Sequence, residues 1–581
     1  MIMSLRKATL YARTLRHLKP GQVAWRGRYV LRRYFGLHPR IPVGRVVPVF
    51  DPDRLDALRR FLALSARHHR PAGDMIAALR EGRFSFLNHT EQAASPPWEA
   101  RGLPRLWRYQ LHGFGYLRHL AAENLLTEHG GDGEIAAAWM HDWIARNPPG
   151  TDVAWDAYPT AARLIHWALA ESVFRGSDAV IRRSFQQQTG YLQRSIEYDI
   201  RANHLLQNAV GLLIAGTVLG GPPAPLARRL LEQQVEEQIL PDGGHYERSP
   251  MYHAQVLELC LLAYAALEDP PRALSNAIAR MTAFLERLRH LDGAVPLFGD
   301  STLEGAPPAE ALIATARECC GLPENETPTG SYTLPESGFY VLGPADNSAR
   351  MIVKAGSPGP RHQLGHAHCD MGSYELCIGP QRVVVDSGVH GYEGSPYRAY
   401  CRSTRAHNTV QINGLEQMEC WAAFRVGRRY GGRVLAHFQK QGGQSLFLEH
   451  NGFRPFLHRR TIDFFSGKAW MVWDSARGPG PLAVQSFVHL HPGLQWVEAG
   501  AGWQAWGHRL YLTLFPFFEG EVAVVQGEEA PQQGWYCPRF GQAIPAATLV
   551  LRAEGTAPLH LGYAIVPADA AIPSLDTLHL A

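Results

Sequence analysis

The spacing of apolar positions changes once along the chain and divides it into two long regions. From about Leu55 to Cys320, apolar residues recur at intervals of three and four, the period of a helix that buries one face. Gly, Pro, Asn and Asp interrupt this pattern and mark helix ends. The pattern predicts helices over 54–67, 111–128, 132–146, 158–175, 178–199, 203–219, 225–240, 250–267, 271–290 and 308–320. Short connections between them indicate packed helix pairs.

After Pro323, short alternating runs replace the helical period. They predict strands over 338–342, 350–354, 374–378, 382–386, 409–412, 433–438, 445–449, 460–464, 470–473, 483–490, 510–515 and 547–551. Many short strands bounded by turn residues are typical of an antiparallel β-sandwich. The sequence therefore predicts an α+β multidomain chain, with an arm and linker at 1–53, a helical domain at 54–325 and a β-sandwich domain at 326–581.

The amino-terminal arm is basic. Residues 1–50 contain no Asp or Glu, and Leu5 to Leu18 alternate Leu and Tyr with Arg and Lys at helical spacing. This amphipathic helix either packs on the body of the protein or offers a surface to anionic polysaccharide or membrane headgroups. Pro42 to Pro52 is predicted to be an extended linker.

Composition narrows the class of protein. A chain of 581 residues that is 46% hydrophobic and 19% charged is folded and too long for one core. Its net charge of +4 is small for this length and predicts no nucleic-acid partner. Eight cysteines without a Cys-x-x-Cys pair favour a reducing compartment over a disulfide framework.

Targeting signals are weak in this sequence. Basic residues interrupt the first 20 positions, so no signal peptide is evident, and no apolar run reaches the roughly 20 residues that span a membrane. These features favour a cytoplasmic or membrane-peripheral location, with the periplasm as the alternative. Oligomeric state leaves no mark in the sequence.

The residues best suited to chemistry concentrate between Gly365 and Leu376. His366 and His368 lie two apart, and in an extended stretch they would point to the same face. Asp386 and His407 follow downstream. Two histidines and a carboxylate on neighbouring strands can complete a zinc site, which would leave one histidine free for chemistry beside the metal.

Five motifs together resemble the heparinase II/III-like polysaccharide lyases. They are GHAHCDMGSYEL at 365–376, VVVDSG at 383–388, RSTRAHNTV at 402–410, NHLL at 203–206 and DGGHYERSPMYH at 242–253. The resemblance implies an (α/α) toroid followed by an antiparallel β-sandwich, and cleavage of a uronic-acid-containing glycan by β-elimination. Heparan-like, alginate-like, hyaluronan-like and bacterial exopolysaccharide chains all remain open as substrates.

The resemblance also implies roles for individual residues. Asn203 would neutralise the uronate carboxylate and His204 would line the same cleft, while Tyr252 and His366 would divide the roles of base and acid. The sequence adds that Ser249 and Pro250 form a good helix start, which places Tyr252 in a rigid first turn. By the resemblance, the metal would be a structural Zn²⁺ ion held by His368, Asp386 and His407.

Further residues are candidates for substrate contact. They are Tyr246, Glu247, Arg248, Trp155, Tyr158, Arg402 and Arg405, of which Tyr246 also competes with Tyr252 for the catalytic role. Asp300, within Phe-Gly-Asp-Ser, is interpreted as a turn or cap residue.

Two other functions remain. A glycoside hydrolase would need two carboxylates flanking one bond, and no such pair is as persuasive as the Asn, Tyr and His set. A non-catalytic protein that binds anionic glycan during bacterial polysaccharide assembly fits the basic arm.

Overall fold

A computed structural model describes most of the chain. The described residues are 5–36, 41, 47–93, 95–127, 130–221, 223–324, 328–440, 443–465 and 469–570. Residues 42–46 of the predicted linker and residues 571–581 of the predicted sandwich domain lie outside this set.

Helices occupy the first part of the chain. They are α1 (Leu5–Leu15), α2 (Pro20–Tyr34), α3 (Pro52–His68), α4 (Gly73–Arg80), α5 (Arg105–Gly113), α6 (Gly115–Thr127), α7 (Asp132–Arg146), α8 (Ala157–Phe174), α9 (Ala179–Arg194), α10 (Ala202–Val218), α11 (Pro223–Gln238), α12 (Pro250–Ala266), α13 (Arg272–Leu288), α14 (Ala309–Cys320) and, among the later strands, α15 (Pro396–Arg402). Among the described residues, no helix is both long and apolar enough to cross a bilayer.

Helix α10 lies at the centre of this region. It packs against α8, α11 and α12, and its residues are buried on nearly every side, as its continuous apolar sequence requires. Gly211 allows α10 and α8 to lie close together, because a Cβ atom there would lie 2.9 Å from the backbone of Ala161 in α8. Helix α10, whose second residue is Asn203, is therefore held by its neighbours along its length.

Strands make up most of the second part. They are β1 (Arg83–Phe86), β2 (His89–Gln92), β3 (Tyr332–Leu334), β4 (Phe339–Leu342), β5 (Ala349–Lys354), β6 (Tyr374–Ile378), β7 (Gln381–Val384), β8 (Val410–Ile412), β9 (Cys420–Ala422), β10 (Arg425–Val426), β11 (Gly432–Lys440), β12 (Gly443–His450), β13 (Leu457–Phe465), β14 (Ala469–Arg477), β15 (Pro481–His489), β16 (Gln495–Ala499), β17 (Gly502–Trp506), β18 (Leu510–Pro516), β19 (Glu521–Val525), β20 (Glu528–Glu529), β21 (Gln532–Gln533), β22 (Trp535–Tyr536), β23 (Ile544–Pro545), β24 (Thr548–Thr556) and β25 (Leu559–Pro567).

Three larger antiparallel sheets enclose the second core. Within the described residues their strand orders are β3-β4-β5-β6-β7, β19-β24-β15-β8 and β11-β12-β13-β14-β25-β18-β17-β16. Apolar side chains from all three sheets form one buried cluster. A smaller cluster joins the two regions, because Phe284 and Leu288 of α13 pack with Phe339 of β4 and Ile352 of β5. This contact fixes the helical region against the sheets.

The amino-terminal arm spans the two regions. Helix α1 contacts the β9–β10 hairpin, where Trp421 Nε1 donates to Thr14 Oγ1 at 3.1 Å. Helix α2 contacts the helical region, where Gln22 Nε2 donates to the carbonyl of Asp199 at 3.2 Å. The arm therefore packs on the body, one of its two predicted positions.

The sequence predicted the order of elements well, but several boundaries differ. The predicted helix at 111–128 is two helices, because Phe114 adopts a left-handed conformation (φ 61°) and ends α5. The predicted helix at 178–199 ends at Arg194. Helices α2, α4 and α15 were not predicted, and only the last three residues of α5 were. The predicted α+β architecture, helical first and antiparallel second, is confirmed.

Candidate active-site cleft

A cleft of about 850 Å³ lies where the helical region, the sheets and the arm meet. Five predicted site residues line it together: Tyr158, Asn203, His204, Tyr252 and His366. These residues come from three helices and from the segment before β6, so the fold gathers positions that are up to about 200 residues apart in sequence.

Asn203 occupies the first turn of α10. The two preceding residues, Arg201 (φ 66°) and Ala202 (φ 53°), have positive φ angles that non-glycine residues rarely adopt. Such strain persists where surrounding structure imposes it, and it is concentrated at functional sites. The Asn203 amide donates to Glu247 Oε2 at 2.7 Å, and its Nδ2 lies 3.4 Å from His366 Nε2. Glu247 thus orients Asn203 from outside the cleft.

Asp300 links the two histidines of the 365–376 motif. Its Oδ2 lies 2.8 Å from His366 Nδ1, and its Oδ1 lies 2.8 Å from His368 Nε2. Arg398 of α15 binds both carboxylate oxygens. Burial alone would raise the pKa of Asp300, but the charge of Arg398 and the two imidazole hydrogen bonds outweigh it and hold the pKa well below its usual value. An ionised carboxylate only accepts hydrogen bonds, so His366 donates from Nδ1, and Nε2 is the ring nitrogen nearer Asn203.

This geometry corrects one interpretation of the sequence. Asp300 is a fully buried member of the site, not a simple turn or cap residue. His366 and His368 lie in an irregular segment before β6 rather than in a strand, yet both reach the same carboxylate.

Tyr252 lies in the first turn of α12, where Ser249 caps the helix and Pro250 begins it, as predicted. Its ring packs on the His366 ring with centroids 3.9 Å apart, and its hydroxyl lies 2.9 Å from that of Tyr392. Burial, followed by the neighbouring Tyr392 and Asp300, raises the pKa of Tyr252 well above 10. The phenol is therefore protonated in the resting protein.

His204 forms a second polar group on the same wall. Its Nδ1 lies 3.0 Å from Glu197 Oε1, and Asn208 donates to the other oxygen of Glu197 at 3.0 Å. The His204 ring packs against Tyr158 with centroids 4.6 Å apart. Burial would lower the pKa of His204, but the charge and hydrogen bond of Glu197 raise it above 6.5. This wall therefore favours a positive imidazolium.

The other predicted substrate contacts lie elsewhere. Trp155 is buried in the helical core and donates to the carbonyl of Asn147 at 2.9 Å. Arg402 is also buried and donates to the carbonyls of Ala367 and Ala422, so it ties backbone segments together. Arg405 packs beside β15, where its carbonyl lies 3.0 Å from His489 Nε2. None of these three residues lines the cleft.

The segment before α12 supports the site from behind. Arg248 (φ 57°) donates to the carbonyls of Ser357 and Glu336 and so clamps this segment to the sheets. Tyr246 is buried, and its ring packs 6.0 Å from that of His362, which lines the cleft. Tyr252, rather than Tyr246, presents its side chain to the cleft.

The predicted zinc ligands lie next to the site. The rings of His368 and His407 have centroids 5.4 Å apart, and within the described chain His368 Nδ1 and His407 Nε2 are buried without hydrogen-bond partners. These orphaned nitrogens suit a metal. Asp386 instead accepts from His407 Nδ1 at 2.7 Å, a contact typical of a carboxylate that orients a ligand. In the described part of the chain, no three His, Cys, Asp or Glu side chains form a ready metal site.

Several site residues escaped the sequence analysis. Asp300, Tyr392, Arg398 and Glu197 carry no motif of their own. Asp300 and Arg398 pair across 98 residues and Tyr392 contacts Tyr252 across 140, whereas Glu197 contacts His204 seven residues away. A signal existed for Arg398 alone, since Ser395 and Pro396 form a helix start like that of α12.

Comparison with known proteins identifies the family. The family model described as "Heparinase II/III N-terminus" matches residues 91–318, and the model described as "Heparinase II/III-like, C-terminal" matches residues 326–569. The chain belongs to the heparinase II/III-like family. The predicted resemblance is confirmed.

Individual relatives are distant. A heparin-sulfate lyase of Pedobacter heparinus is 26% identical over 415 residues, which are 64% of this chain and 60% of that protein. A heparin-sulfate lyase of Bacteroides thetaiotaomicron is 24% identical, over 62% of this chain and 58% of that protein. FtsZ-localized protein C of Caulobacter vibrioides is 25% identical, over 68% of this chain and 71% of that protein. The chain thus spans roughly half to three-fifths of the lyase sequences it matches.

Solved structures agree on the fold. A crystal structure of heparinase III superposes with a TM-score of 0.69 at 15% identity, covering 95% of this chain and 92% of that one. A chondroitin AC lyase of Streptomyces coelicolor superposes with a TM-score of 0.54 at 12% identity, over 89% and 83% of the two chains. The helical region is accordingly the toroid, and the sheets are the β-sandwich, of this fold.

Proposed function

We propose that this protein is a polysaccharide lyase that cleaves a uronate-containing, glycosaminoglycan-like chain by β-elimination. The observation that carries the proposal is the meeting of Asn203, Tyr252 and His366 at one wall of one cleft. The lyases named among the relatives support the same class of reaction.

The first requirement of β-elimination is to neutralise the uronate carboxylate. The C5 proton becomes acidic enough to remove only if charge on that carboxylate is stabilised as it develops. Asn203 would donate its amide hydrogen there. His204, held as an imidazolium by Glu197, would supply positive charge on the same wall.

The second requirement is a base and an acid. With Nδ1 committed to Asp300, a neutral His366 ring would carry its lone pair at Nε2 and would accept the C5 proton there. The C5–H electrons would form the C4–C5 double bond as the C4–O4 bond breaks. Tyr252, protonated at rest, would give its proton to the departing O4. Tyr252 acting as both base and acid is the alternative.

A structural zinc ion is a further part of the proposal. His368 and His407 would hold it, with Asp386 as third ligand or as the group that orients His407, and with water or Cys369 completing the shell. The ion would pin the segments on which His366 is carried.

Absorbance near the ultraviolet band of a 4,5-unsaturated uronate tests the proposal. The protein would be incubated with heparan sulfate, chondroitin, hyaluronan, alginate and bacterial exopolysaccharides. We expect absorbance to rise with at least one of them. New reducing ends without absorbance would show hydrolysis instead, and would overturn elimination.

A second candidate function is binding without turnover. One matched relative, FtsZ-localized protein C, has a name that states no catalytic activity, and the alignment covers 71% of that protein. Saturable glycan binding with no absorbance and no new ends, across the same panel, would select this function.

A further inference from the structure

Helix α2 has two opposite faces, and its inner face packs on the toroid. On that face Tyr29 donates from its hydroxyl to the carbonyl of Ile196, and the ring centroids of Trp25 and Tyr198 lie 4.9 Å apart. Gln22, on the same face, is buried. These contacts fix the helix on the body of the protein and determine which of its side chains point outwards.

The outer face of α2 carries a row of apolar side chains. Positions three, four and seven residues apart share one face of a helix, and this spacing joins Val23, Val30, Leu31 and Tyr34. Their exposed fractions run from 47% for Val23 to 82% for Tyr34. In the described part of the chain, none of the four belongs to a hydrophobic cluster. Single exposed apolar residues are ordinary, but a contiguous row marks an interaction surface. We call these four residues the α2 stripe.

Positive charge surrounds the α2 stripe. At about 3.6 residues per turn, Arg26 and Arg28 fall on its two flanks, and both are exposed. The first 50 residues hold eleven of the 57 Lys and Arg residues and none of the 53 Asp and Glu residues. The rest of the chain has 46 Lys and Arg against 53 Asp and Glu, a net charge of −7. The excess positive charge of this protein is therefore concentrated in the arm that carries the stripe.

We propose that the α2 stripe docks this protein on the surface of a bilayer that contains anionic lipid. Apolar side chains flanked by arginines are typical of helices that lie in the membrane interface, where the apolar face enters the acyl boundary and the cations meet the headgroups. Tyr34 suits this depth, because its ring is apolar and its hydroxyl is polar. Docking would hold the cleft beside the membrane, since Gln22 and Arg26 of the same helix line it.

Two other occupants fit the α2 stripe less well. An anionic glycan would meet the arginines but offers little apolar surface, and the four described residues of the stripe lie outside the residues that line the cleft. A second copy of the chain would bring two basic arms together in a symmetric dimer, which their like charge opposes. A bilayer matches both features, because its headgroups attract the cations and its acyl chains accept the apolar side chains.

The test measures flotation of the protein with phosphatidylcholine vesicles that contain or lack phosphatidylglycerol. We expect binding to the anionic vesicles. Val30→Ser/Leu31→Ser should weaken that binding at least about tenfold, because two large apolar side chains no longer enter the bilayer. The matched control is Val180→Ser/Leu226→Ser, which removes an exposed Val and an exposed Leu from α9 and α11. This control should bind like the wild type.

The contribution of charge is measured separately. Arg28→Gln should weaken binding to the anionic vesicles about fivefold, and added salt should remove the difference because exposed charges are screened. Arg60→Gln, which removes one exposed charge of α3, should bind like the wild type. Equal binding of the two vesicle types by the wild type would overturn the proposal, since the surface would then not be selected by charge.

Stability and activity separate the remaining explanations. The Tm of Val30→Ser/Leu31→Ser should equal that of the wild type, because both side chains are already exposed. Any elimination of soluble glycan should proceed at the same rate in this variant, because the stripe lies outside the cleft, so the inference is independent of the proposed function. Absence of vesicle binding by the wild type overturns the proposal. A wild-type dimer in analytical ultracentrifugation that Val30→Ser/Leu31→Ser converts to monomer, without vesicle binding, overturns it in favour of a second copy.

Discussion

Asp300 accepts a hydrogen bond from Nδ1 of His366 at 2.8 Å. Because Arg398 keeps that carboxylate ionised, the contact fixes which nitrogen of His366 carries the proton. The chemistry of the cleft therefore depends on a residue that does not line it.

Replacement of Asp300 by Asn should damage both stability and activity. The variant leaves Arg398 buried without its counter-ion, which costs about 3–5 kcal/mol of unfolding free energy in comparable cases. Denaturant unfolding measures this cost. Asp56→Asn is the control, because Asp56 pairs with Arg175 at the surface and its loss should cost less than about 1 kcal/mol. Equal costs for the two variants would contradict the role given to Asp300.

Replacement of Tyr252 by Phe should abolish turnover while preserving glycan binding. The hydroxyl is the proposed proton donor, and such groups contribute about 10²- to 10⁴-fold to the rate. The initial rate of absorbance increase and a separate binding titration give the two quantities. Tyr264→Phe is the control, since Tyr264 lies on the same helix outside the cleft. Undiminished turnover by Tyr252→Phe would remove Tyr252 from the mechanism.

The pair of His204 and Glu197 should make stability depend on pH. The folded-state pKa of His204 is raised, so its stabilising contribution is present in full below the unfolded-state value of about 6.5 and is lost as pH rises through the folded value. The difference in unfolding free energy between wild type and His204→Gln should therefore shrink as the pH rises above about 6.5. His141→Gln, at the surface, serves as control. A difference that stays constant with pH would refute the charged pair.

Zinc content can be measured directly. We expect about one Zn²⁺ per chain by inductively coupled plasma mass spectrometry, and its loss in His368→Ala and His407→Ala. Removal of zinc by a chelator should lower Tm, because the freed imidazoles remain buried without partners. His450→Ala, in a separate histidine pair of the sandwich, should retain the metal. Wild-type protein that neither contains zinc nor gains Tm when zinc is added would exclude the site.

The sequence predicted elements wherever a strong local period was present. Helix α10 was predicted at 203–219 and occupies Ala202–Val218, because apolar residues on every face leave one way to bury it. Helix α2 was missed, since Pro20, Gly21 and Gly27 obscure its period and it is held by contacts with distant residues. Strand β25 was also missed, although it pairs with both β14 and β18.

The site was predictable only where a motif marked it. Asn203, Tyr252 and His366 belong to recognisable motifs and do meet in the cleft. Asp300 was interpreted as a turn or cap residue and Tyr392 was missed, because their partners lie 66 and 140 residues away and no local pattern reports such a contact. Trp155 and Arg402 have side chains suited to sugars, but Trp155 is buried in the helical core and Arg402 is hydrogen-bonded to backbone carbonyls.

Asn203 and Tyr252 come from the toroid, as does Asp300 from the loop between α13 and α14, whereas His366 and Arg398 come from the sandwich side. During synthesis, Asn203 and Tyr252 therefore leave the ribosome before His366 and the Asp300–Arg398 pair that holds it are complete. A gene fusion that moved either region alone would carry only some of the residues that meet in this cleft.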